Sequence, residues 1–277
     1  MRQNAVIFIA ALLVLISATS CADAKVRQYK VKVVNEYPHD VTSYTQGLFF
    51  QGDYMVETTG QWGESTLRKV DLATGKAVMR LDFNRKYFVE GSAELDGNIY
   101  ILTWKNKVAF MYDASTFEYK STWSYPREGW GLTTDGRSLI ASDGSSRLYF
   151  MDKNFKQQKV LNVTIDGRPV NMLNELEWID GKIWANVYMT DLILIIDPSD
   201  GKVEATVDCT GLLPPSLRDK DTDVLNGIAF NPENGKIPGS TGSVSMRLRR
   251  LPSDSLGLRR FYAIFASSGF MTNSEVI

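Results

Sequence analysis

Hydrophobic and polar residues alternate along most of the chain in short runs, and turn-forming residues separate the runs. An alternation with a period of two predicts β-strands that are buried on one face. Asp-Gly pairs at residues 96–97, 135–136 and 180–181 lie between such runs and favour tight hairpins. Long stretches of helical periodicity are absent from the sequence. The pattern therefore predicts an all-β protein.

The predicted strands recur in a unit of 40 to 52 residues. Each unit begins with a short segment of related pattern, at residues 45–48, 89–92, 129–132, 173–176 and 225–228. Four short strands in a repeat of this length are typical of a β-propeller blade. The sequence therefore predicts a five-bladed β-propeller, in which an early strand at residues 29–34 pairs with the last blade and closes the ring. A β-sandwich is the alternative, but it would not explain the repeat.

The first strand of each propeller blade lines the central channel, so equivalent positions form a ring. The residues at this position are Gln46, Glu90, Trp130, Asn174 and Asn226. Fourteen positions later the same register gives Gly60, Trp104, Gly144 and Tyr188. Small aliphatic residues would be expected in a purely structural interior, because buried polar groups without partners cost roughly 1–3 kcal/mol each. The ring therefore predicts a polar pocket with aromatic walls. The alternative is that these groups only satisfy one another across a water-filled channel.

Glu90 is the one ionisable residue of this ring. A carboxyl group that is partly desolvated among amides and indoles has a raised pKa, which suits it to proton transfer. Glycoside hydrolysis needs two carboxyl groups at a defined separation. The nearby Glu175 and Glu177 share one face of a strand, but that face need not be the one that lines the channel.

Ten segments spread in order along the chain match one known family. They are residues 37–40, 44–48, 57–60, 90–91, 102–104, 128–133, 142–145, 173–177, 184–186 and 223–229. On these segments the chain resembles the plant and bacterial glutaminyl-peptide cyclotransferases, also called glutamine cyclotransferases. The resemblance implies a five-bladed propeller that converts the N-terminal glutamine of peptides and proteins to pyroglutamate and releases ammonia. It also implies an aminoacyltransferase that needs neither a metal nor another cofactor.

The resemblance assigns roles to the pocket residues. The glutamate of the family's Glu-Gly motif matches Glu90, which would take a proton from the attacking amine and deliver one to the departing ammonia. Gln46 and Asn174 match pocket residues whose amides could bind the substrate carboxamide and stabilise its developing oxyanion. Trp104 and Trp130 match the tryptophans that would wall the substrate side chain.

Three features depart from the family pattern. Tyr44 stands where the family often has Phe, and Tyr188 stands where Trp is usual; both are still expected to bind substrate. Beyond residue 237 the pattern of the last blade stops, and residues 238–277 are rich in arginine. We interpret these residues as a disordered or frameshifted tail, in preference to a basic tail that binds membrane or nucleic acid. The fifth blade would then be incomplete, the pocket would lack the family's lysine, and activity would be impaired.

The first residues have the pattern of an export signal. A basic start is followed by an apolar run at residues 5–16 and by an Ala-x-Ala site at residues 22–24. Residues 1–24 are therefore expected to be a signal peptide and residues 25–237 the propeller domain. Residues 18–21 also loosely resemble a lipoprotein box, in which Cys21 would be lipidated. We expect an exported protein, periplasmic or secreted, with a lipid anchor as the alternative to a free form.

Composition narrows the remaining choices. A formal net charge of −1 gives no electrostatic reason to expect nucleic acid as a partner. The chain has one histidine, His39, and two cysteines, of which Cys21 lies in the signal segment. Cys209 is thus left without a disulfide partner and is expected to be buried rather than catalytic. So few histidines and cysteines argue against a zinc site. We expect a monomer.

Two other functions fit the same fold. A non-catalytic exported propeller would bind peptides or glycans through the same pocket. A propeller enzyme that acts on sugars or lactones would need several carboxylates or a metal on the axis, and the ring supplies one carboxylate.

Overall fold

The computed structural model describes residues 25–40, 42–213, 215, 223–231, 263–267 and 270–276. Strand β1 (Arg27–Tyr37) comes first. Blade one consists of β2 (Thr45–Gln51), β3 (Tyr54–Thr59), β4 (Thr66–Asp71) and β5 (Lys76–Asp82). Blade two consists of β6 (Val89–Leu95), β7 (Asn98–Thr103), β8 (Val108–Asp113) and β9 (Tyr119–Ser124). Blade three consists of β10 (Leu132–Thr134), β11 (Leu139–Ser142), β12 (Arg147–Met151) and β13 (Gln157–Asn162).

A short hairpin and blade four follow. The hairpin is β14 (Thr164–Ile165) and β15 (Arg168–Pro169). Blade four consists of β16 (Leu173–Ile179), β17 (Lys182–Val187), β18 (Leu192–Ile196) and β19 (Val203–Asp208). The last strands are β20 (Ile228–Phe230), β21 (Ala263–Ser267) and β22 (Phe270–Val276). The prediction of an all-β, propeller-like protein is confirmed. Among the described residues, no helix is long and apolar enough to cross a membrane.

The predicted Asp-Gly hairpins open blades two and four. In the turn between β6 and β7, Asp96 and Gly97 have φ values of 52° and 70°. In the turn between β16 and β17, Asp180 and Gly181 have φ values of 49° and 77°. Positive φ at both central residues defines the type I′ turn, whose twist matches that of the strands it joins.

The glycine repeated at the start of a blade allows the innermost strands to approach one another. A Cβ atom on Gly47 would lie 2.5 Å from the backbone nitrogen of Ser92 in the next blade. On Gly91 it would lie 2.4 Å from the nitrogen of Leu132, and on Gly131 it would lie 2.0 Å from the Asn174 carbonyl oxygen. No other residue fits such distances, so the repeat in the sequence reflects backbone packing around the axis.

Hydrophobic clusters fill the spaces between successive sheets. Blades one and two share a cluster that includes Val56 and Ile101. Similar clusters join blade two to blade three and blade three to blade four. Strand β20 continues the series, because Ile228 packs against blade four while Ala229 packs against Leu48 of blade one.

Strand β1 joins the two ends of the chain. Its residues 27–30 pair in parallel with β19, and its residues 31–37 pair antiparallel with β22. Strand β22 pairs with β21, and β21 pairs with β20. The expectation that residues 238–277 lack blade strands is therefore corrected for residues 263–267 and 270–276. The remainder of the interpreted tail lies outside the described residues, as do the signal segment and Cys21.

Candidate active site

A cavity of about 210 Å³ opens where the first strands of the blades converge. Its lining combines amides, carboxylates and aromatic rings. The lining residues are Tyr44, Thr45, Gln46, Gln61, Phe88, Glu90, Trp104, Trp130, Asn174, Tyr188, Asp223, Val224 and Asn226. The structure thus brings all seven predicted catalytic and substrate-binding residues together, along with Asn226 of the predicted ring. No lysine or arginine is found among these described lining residues.

Three amide side chains form a hydrogen-bonded chain in the cavity. Asn174 Nδ2 donates to Asn226 Oδ1 at 3.0 Å. Asn226 Nδ2 in turn donates to the Thr45 carbonyl at 3.0 Å and to Gln46 Oε1 at 3.4 Å. Because these bonds use one end of each outer amide, the Nε2 donor of Gln46 and the Oδ1 acceptor of Asn174 are left available for a ligand. The cavity therefore offers one donor and one acceptor in fixed orientations.

Glu90 is held rigidly at the start of β6 and is only 6% exposed. Thr58 Oγ1 donates to the Glu90 carbonyl at 2.7 Å, and the amide of Gly91 donates to the Trp130 carbonyl at 2.7 Å. Burial, and secondarily the negative charge of Glu128, raises the pKa of the Glu90 carboxyl well above its usual range. Its protonated form is thereby stabilised, so the group can donate as well as accept a proton.

Aromatic rings form the wall of the cavity. At one position of the repeat, successive blades alternate between glycine and an aromatic residue. Trp104 and Tyr188 occupy the position fourteen residues after the ring residue in blades two and four. Blades one and three have glycine there, and those glycines make room for other rings: Phe88 beside Gly60 and Trp130 beside Gly144. A Cβ on Gly60 would lie 2.5 Å from the Phe88 ring, and one on Gly144 would lie 2.7 Å from the Trp130 ring. The rings meet in edge-to-face pairs, with centroids 5.4 Å apart for Phe88 and Trp104 and 5.6 Å apart for Trp130 and Tyr188.

The two tyrosines of the wall bring hydroxyl groups to the cavity. Tyr44 donates its hydroxyl to Asp223 Oδ2 at 2.6 Å. Burial, followed by the Asp223 carboxylate, raises the pKa of Tyr44 far above its usual value, and the charges of Tyr188 and Glu90 act in the same direction. Tyr44 therefore stays protonated and ties blade one to the segment that precedes β20.

Glu128 lies behind the wall, in the loop between β9 and β10. Its Oε2 accepts a hydrogen bond from Trp104 Nε1 at 2.9 Å and a longer one from Trp130 Nε1 at 3.4 Å. The loop is anchored beside it, because the amide of Gly129 donates to the carbonyls of Thr103 and Trp104 at 3.0 and 3.3 Å. Both indole rings are thus oriented by one carboxylate oxygen.

Glu175 and Glu177 do not line the cavity and instead bind backbone amides of other first strands. Glu175 accepts from the amides of Leu48 at 3.3 Å and Ile228 at 2.8 Å. Glu177 accepts from the amide of Phe230 at 3.0 Å and from Thr133 Oγ1 at 3.2 Å. Burial raises the pKa of Glu175 well above its usual range and raises that of Glu177 to about 8. These two carboxyl groups therefore link blade four to blades one and three and to β20.

The raised pKa of Glu177 predicts a dependence of stability on pH. A carboxyl whose pKa is higher in the folded than in the unfolded state stabilises the fold at low pH, and this contribution is lost as the pH rises. For Glu177 the loss spans the range from its ordinary pKa near 4 to about 8. Because glutamine stays neutral, we expect E177Q to gain unfolding free energy relative to the wild type as the pH rises from about 5 to 8.

Urea denaturation at several pH values measures this difference. The control is E64Q, which removes a carboxylate from an exposed residue; its difference from the wild type should stay constant over the same range. Parallel stability curves for E177Q and the wild type would contradict a raised pKa at Glu177.

A buried ionic network supports the cavity wall from the side of blade one. Glu57 is fully buried and accepts hydrogen bonds from His39 Nε2 at 3.0 Å and from Thr45 Oγ1 at 2.5 Å. Arg68 donates to Glu57 Oε2 at 2.7 Å and to Asp40 Oδ2 at 2.8 Å, and it also bonds Ser43. Thr45 is the residue before Gln46, so this network fixes the backbone from which that amide extends.

Several residues that form the site had no predicted role. Phe88, Gln61, Val224 and Asp223 line the cavity, and Glu128 binds two of its rings. Asp223 and Glu128 lie in matched segments of the sequence, and their acidic character next to predicted pocket residues was the available signal. Cys209 is buried and its thiol pKa is raised by burial, in line with a structural position. In the described parts of the chain, no group of three or more His, Cys, Asp or Glu side chains is placed to hold a metal ion.

Known proteins resemble this chain in sequence and in architecture. The family model for glutamine cyclotransferase matches residues 6–239. A glutaminyl-peptide cyclotransferase of Arabidopsis thaliana is 38% identical over 226 residues, which make up 80% of this chain and 71% of that protein. The crystal structure of Myxococcus xanthus glutaminyl cyclase has a TM-score of 0.76 and 28% identity, over 91% of this chain and 98% of the other. The resemblance seen in the sequence is thus confirmed, and the chain belongs to the glutamine cyclotransferase family.

Proposed function

We propose that this protein is a glutaminyl-peptide cyclotransferase, which converts the N-terminal glutamine of peptides and proteins to pyroglutamate and releases ammonia. The observation that supports this most directly is the buried Glu90 carboxyl, whose pKa is raised, in a small cavity with one amide donor and one amide acceptor. The reaction needs one group that both accepts and donates a proton. It also needs a site that holds a short polar side chain.

Binding brings the reacting atoms together. The neutral α-amine of the substrate attacks the carbon of its own side-chain carboxamide, so the barrier falls when the curled conformer is held in place. Gln46 Nε2 is placed to donate to the carboxamide oxygen, on which negative charge develops during attack. Asn174 Oδ1 is placed to accept from a substrate N–H group. Because both amides are fixed through Asn226, neither has to reorient during the reaction.

Glu90 performs the proton transfers. As the new C–N bond forms, the carboxylate takes a proton from the attacking nitrogen. The resulting carboxylic acid then gives a proton to the carboxamide nitrogen, the C–N bond to that nitrogen breaks, and ammonia leaves. A pKa raised by burial brings the group closer to the working pH, which favours both steps.

The aromatic walls determine what enters. The cavity of about 210 Å³ has room for a curled glutamine side chain. Phe88, Trp104 and Trp130 present ring surfaces that exclude water from the reacting atoms and strengthen the electrostatic contacts inside.

We also propose that the ring has five blades and that catalysis is metal-independent. Strands β20, β21 and β22, together with residues 31–37 of β1, make up the fifth blade in this proposal. Weakened activity remains our proposal for this chain, because residues 238–277 depart from the family's sequence pattern.

The test of the function is direct. Protein lacking residues 1–24 is incubated with a Gln-initiated dipeptide, and ammonia and pyroglutamyl product are measured with and without a chelator. We expect equal product in both samples and none from a matched Glu-initiated dipeptide at neutral pH. A protein that binds the dipeptide without converting it would instead be the non-catalytic peptide-binding propeller, and inhibition by the chelator would contradict the metal-free proposal.

We also propose that the protein is exported, from the sequence pattern of residues 1–24, and that it is a monomer. A free periplasmic or secreted form and a form anchored by a lipid at Cys21 differ in one observable. The mature N-terminus, determined by mass spectrometry, begins at residue 25 in the first case and at a lipidated Cys21 in the second.

A further inference from the structure

Glu128 does not line the cavity, but it forms hydrogen bonds with two residues that do. Its Oε2 is shared by Trp104 Nε1 at 2.9 Å and Trp130 Nε1 at 3.4 Å. The two tryptophans come from different blades, since Trp104 follows β7 of blade two and Trp130 precedes β10 of blade three. One carboxylate therefore determines how the two rings are oriented relative to each other. No other hydrogen bond among the described residues links the two indole nitrogens.

We propose that Glu128 is a positioning residue of this active site, whose carboxylate fixes the indole rings of Trp104 and Trp130 across the boundary between two blades. The proposal rests on the function proposed above. A second effect, through charge, is expected on Glu90, because Glu128 binds two rings that line the same cavity as the Glu90 carboxyl.

The surroundings of Glu90 contain few charges that could offset the second effect. Tyr44 interacts electrostatically with Glu90, Tyr188 and Asp223, and these groups are neutral or negative. Cationic groups are missing from the described cavity lining. Lys105 Nζ is near, but it lies 4.0 Å from the centre of the Trp104 ring and is exposed to solvent, where its charge is screened. After burial, the Glu128 charge is the main cause of the raised pKa of Glu90.

Two substitutions separate the effects. E128Q keeps an oxygen that accepts from the indoles but removes the charge, whereas E128A removes both. E118Q serves as the control, because Glu118 is an exposed carboxylate at the outer end of the same blade as Trp104.

The first measurement is the pH profile of kcat/KM with one Gln-initiated dipeptide. Loss of the charge makes Glu90 easier to ionise, so we expect the acidic limb of E128Q to move to lower pH. E128A should show the same displacement and a further fall of about tenfold to a hundredfold in kcat/KM. E118Q should match the wild type. A profile for E128Q that coincides with that of E118Q would overturn the effect of charge on Glu90.

The second measurement needs no turnover. The protein has six tryptophans, and 15N labelling gives each one an indole N–H resonance that hydrogen bonding shifts. We expect E128A to move the two resonances of Trp104 and Trp130 and E118Q to move neither. Unchanged resonances in E128A would overturn the positioning role. If the wild-type protein converted no Gln-initiated peptide, the proposed function would fail, and these resonances would still decide the role of Glu128.

Discussion

E90Q should lose turnover of Gln-initiated peptides by a factor of about 10² to 10⁴, which is the range that general acid–base catalysis contributes. Glutamine has nearly the shape of glutamate but neither takes nor gives a proton under these conditions. Since the Glu90 side chain is buried in the cavity wall and its backbone is held by neighbouring strands, the substitution should leave the pocket in place. We therefore expect kcat to fall while KM changes by no more than about threefold.

Steady-state kinetics with ammonia detection measure this loss. The control is E94Q, because Glu94 lies on the same strand but outside the cavity and bonds Gln51 at 2.7 Å. It should retain turnover within a few-fold of the wild type. Thermal unfolding of each variant shows whether the fold is preserved. Turnover by a folded E90Q within tenfold of the wild type would remove Glu90 from the mechanism.

G131A should destabilise the propeller strongly. The added Cβ would lie 2.0 Å from the carbonyl oxygen of Asn174 and 2.8 Å from the Glu175 Cα, and both are backbone atoms of the neighbouring blade. Backbone atoms cannot move aside as the end of a flexible side chain can. We expect the unfolding free energy to fall by about 3 kcal/mol, at the upper end of the cost of overpacking.

G97A is the matched control for this effect. Gly97 lies in a hairpin turn with a φ of 70°, and a Cβ there would meet no atom within 4 Å. Alanine at this position should lower the unfolding free energy only through the strain of its positive φ, by about 1 kcal/mol. Urea denaturation compares the two variants. If G131A were as stable as G97A or more stable, the repeated glycine would not be needed for the close approach of the first strands.

Much of the fold and of the site was predictable from the repeat, because equivalent positions in successive repeats lie at equivalent places around one axis. Gln46, Glu90, Trp130, Asn174 and Asn226 were grouped by register alone, and all of them line one cavity. The same periodicity explains the Asp-Gly hairpins, whose conformation depends on local residues and not on distant contacts.

Residues outside the register were not predictable in this way. Phe88 and Glu128 lie in loops between blades. The repeat has no equivalent position there from which the direction of a side chain could be predicted. The two faces of β16 could not be told apart from its alternation, so the bonds of Glu175 and Glu177 to other blades were found only in the structure. Strands β21 and β22 were missed because their segment follows an arginine-rich stretch and because β22 pairs with β1, at the opposite end of the chain.

Strand β1 also has a consequence for the order of folding. The hairpins within each blade join residues close in sequence and can form quickly, whereas Arg27 pairs with Ala205 and must wait until blade four exists. Pairing of β1 closes a loop that contains the four described blades, which costs more chain entropy than any hairpin within them. We therefore expect the pairing of β1 with β19 and β22 to form last. Its contacts should then affect the rate of unfolding more than the rate of folding.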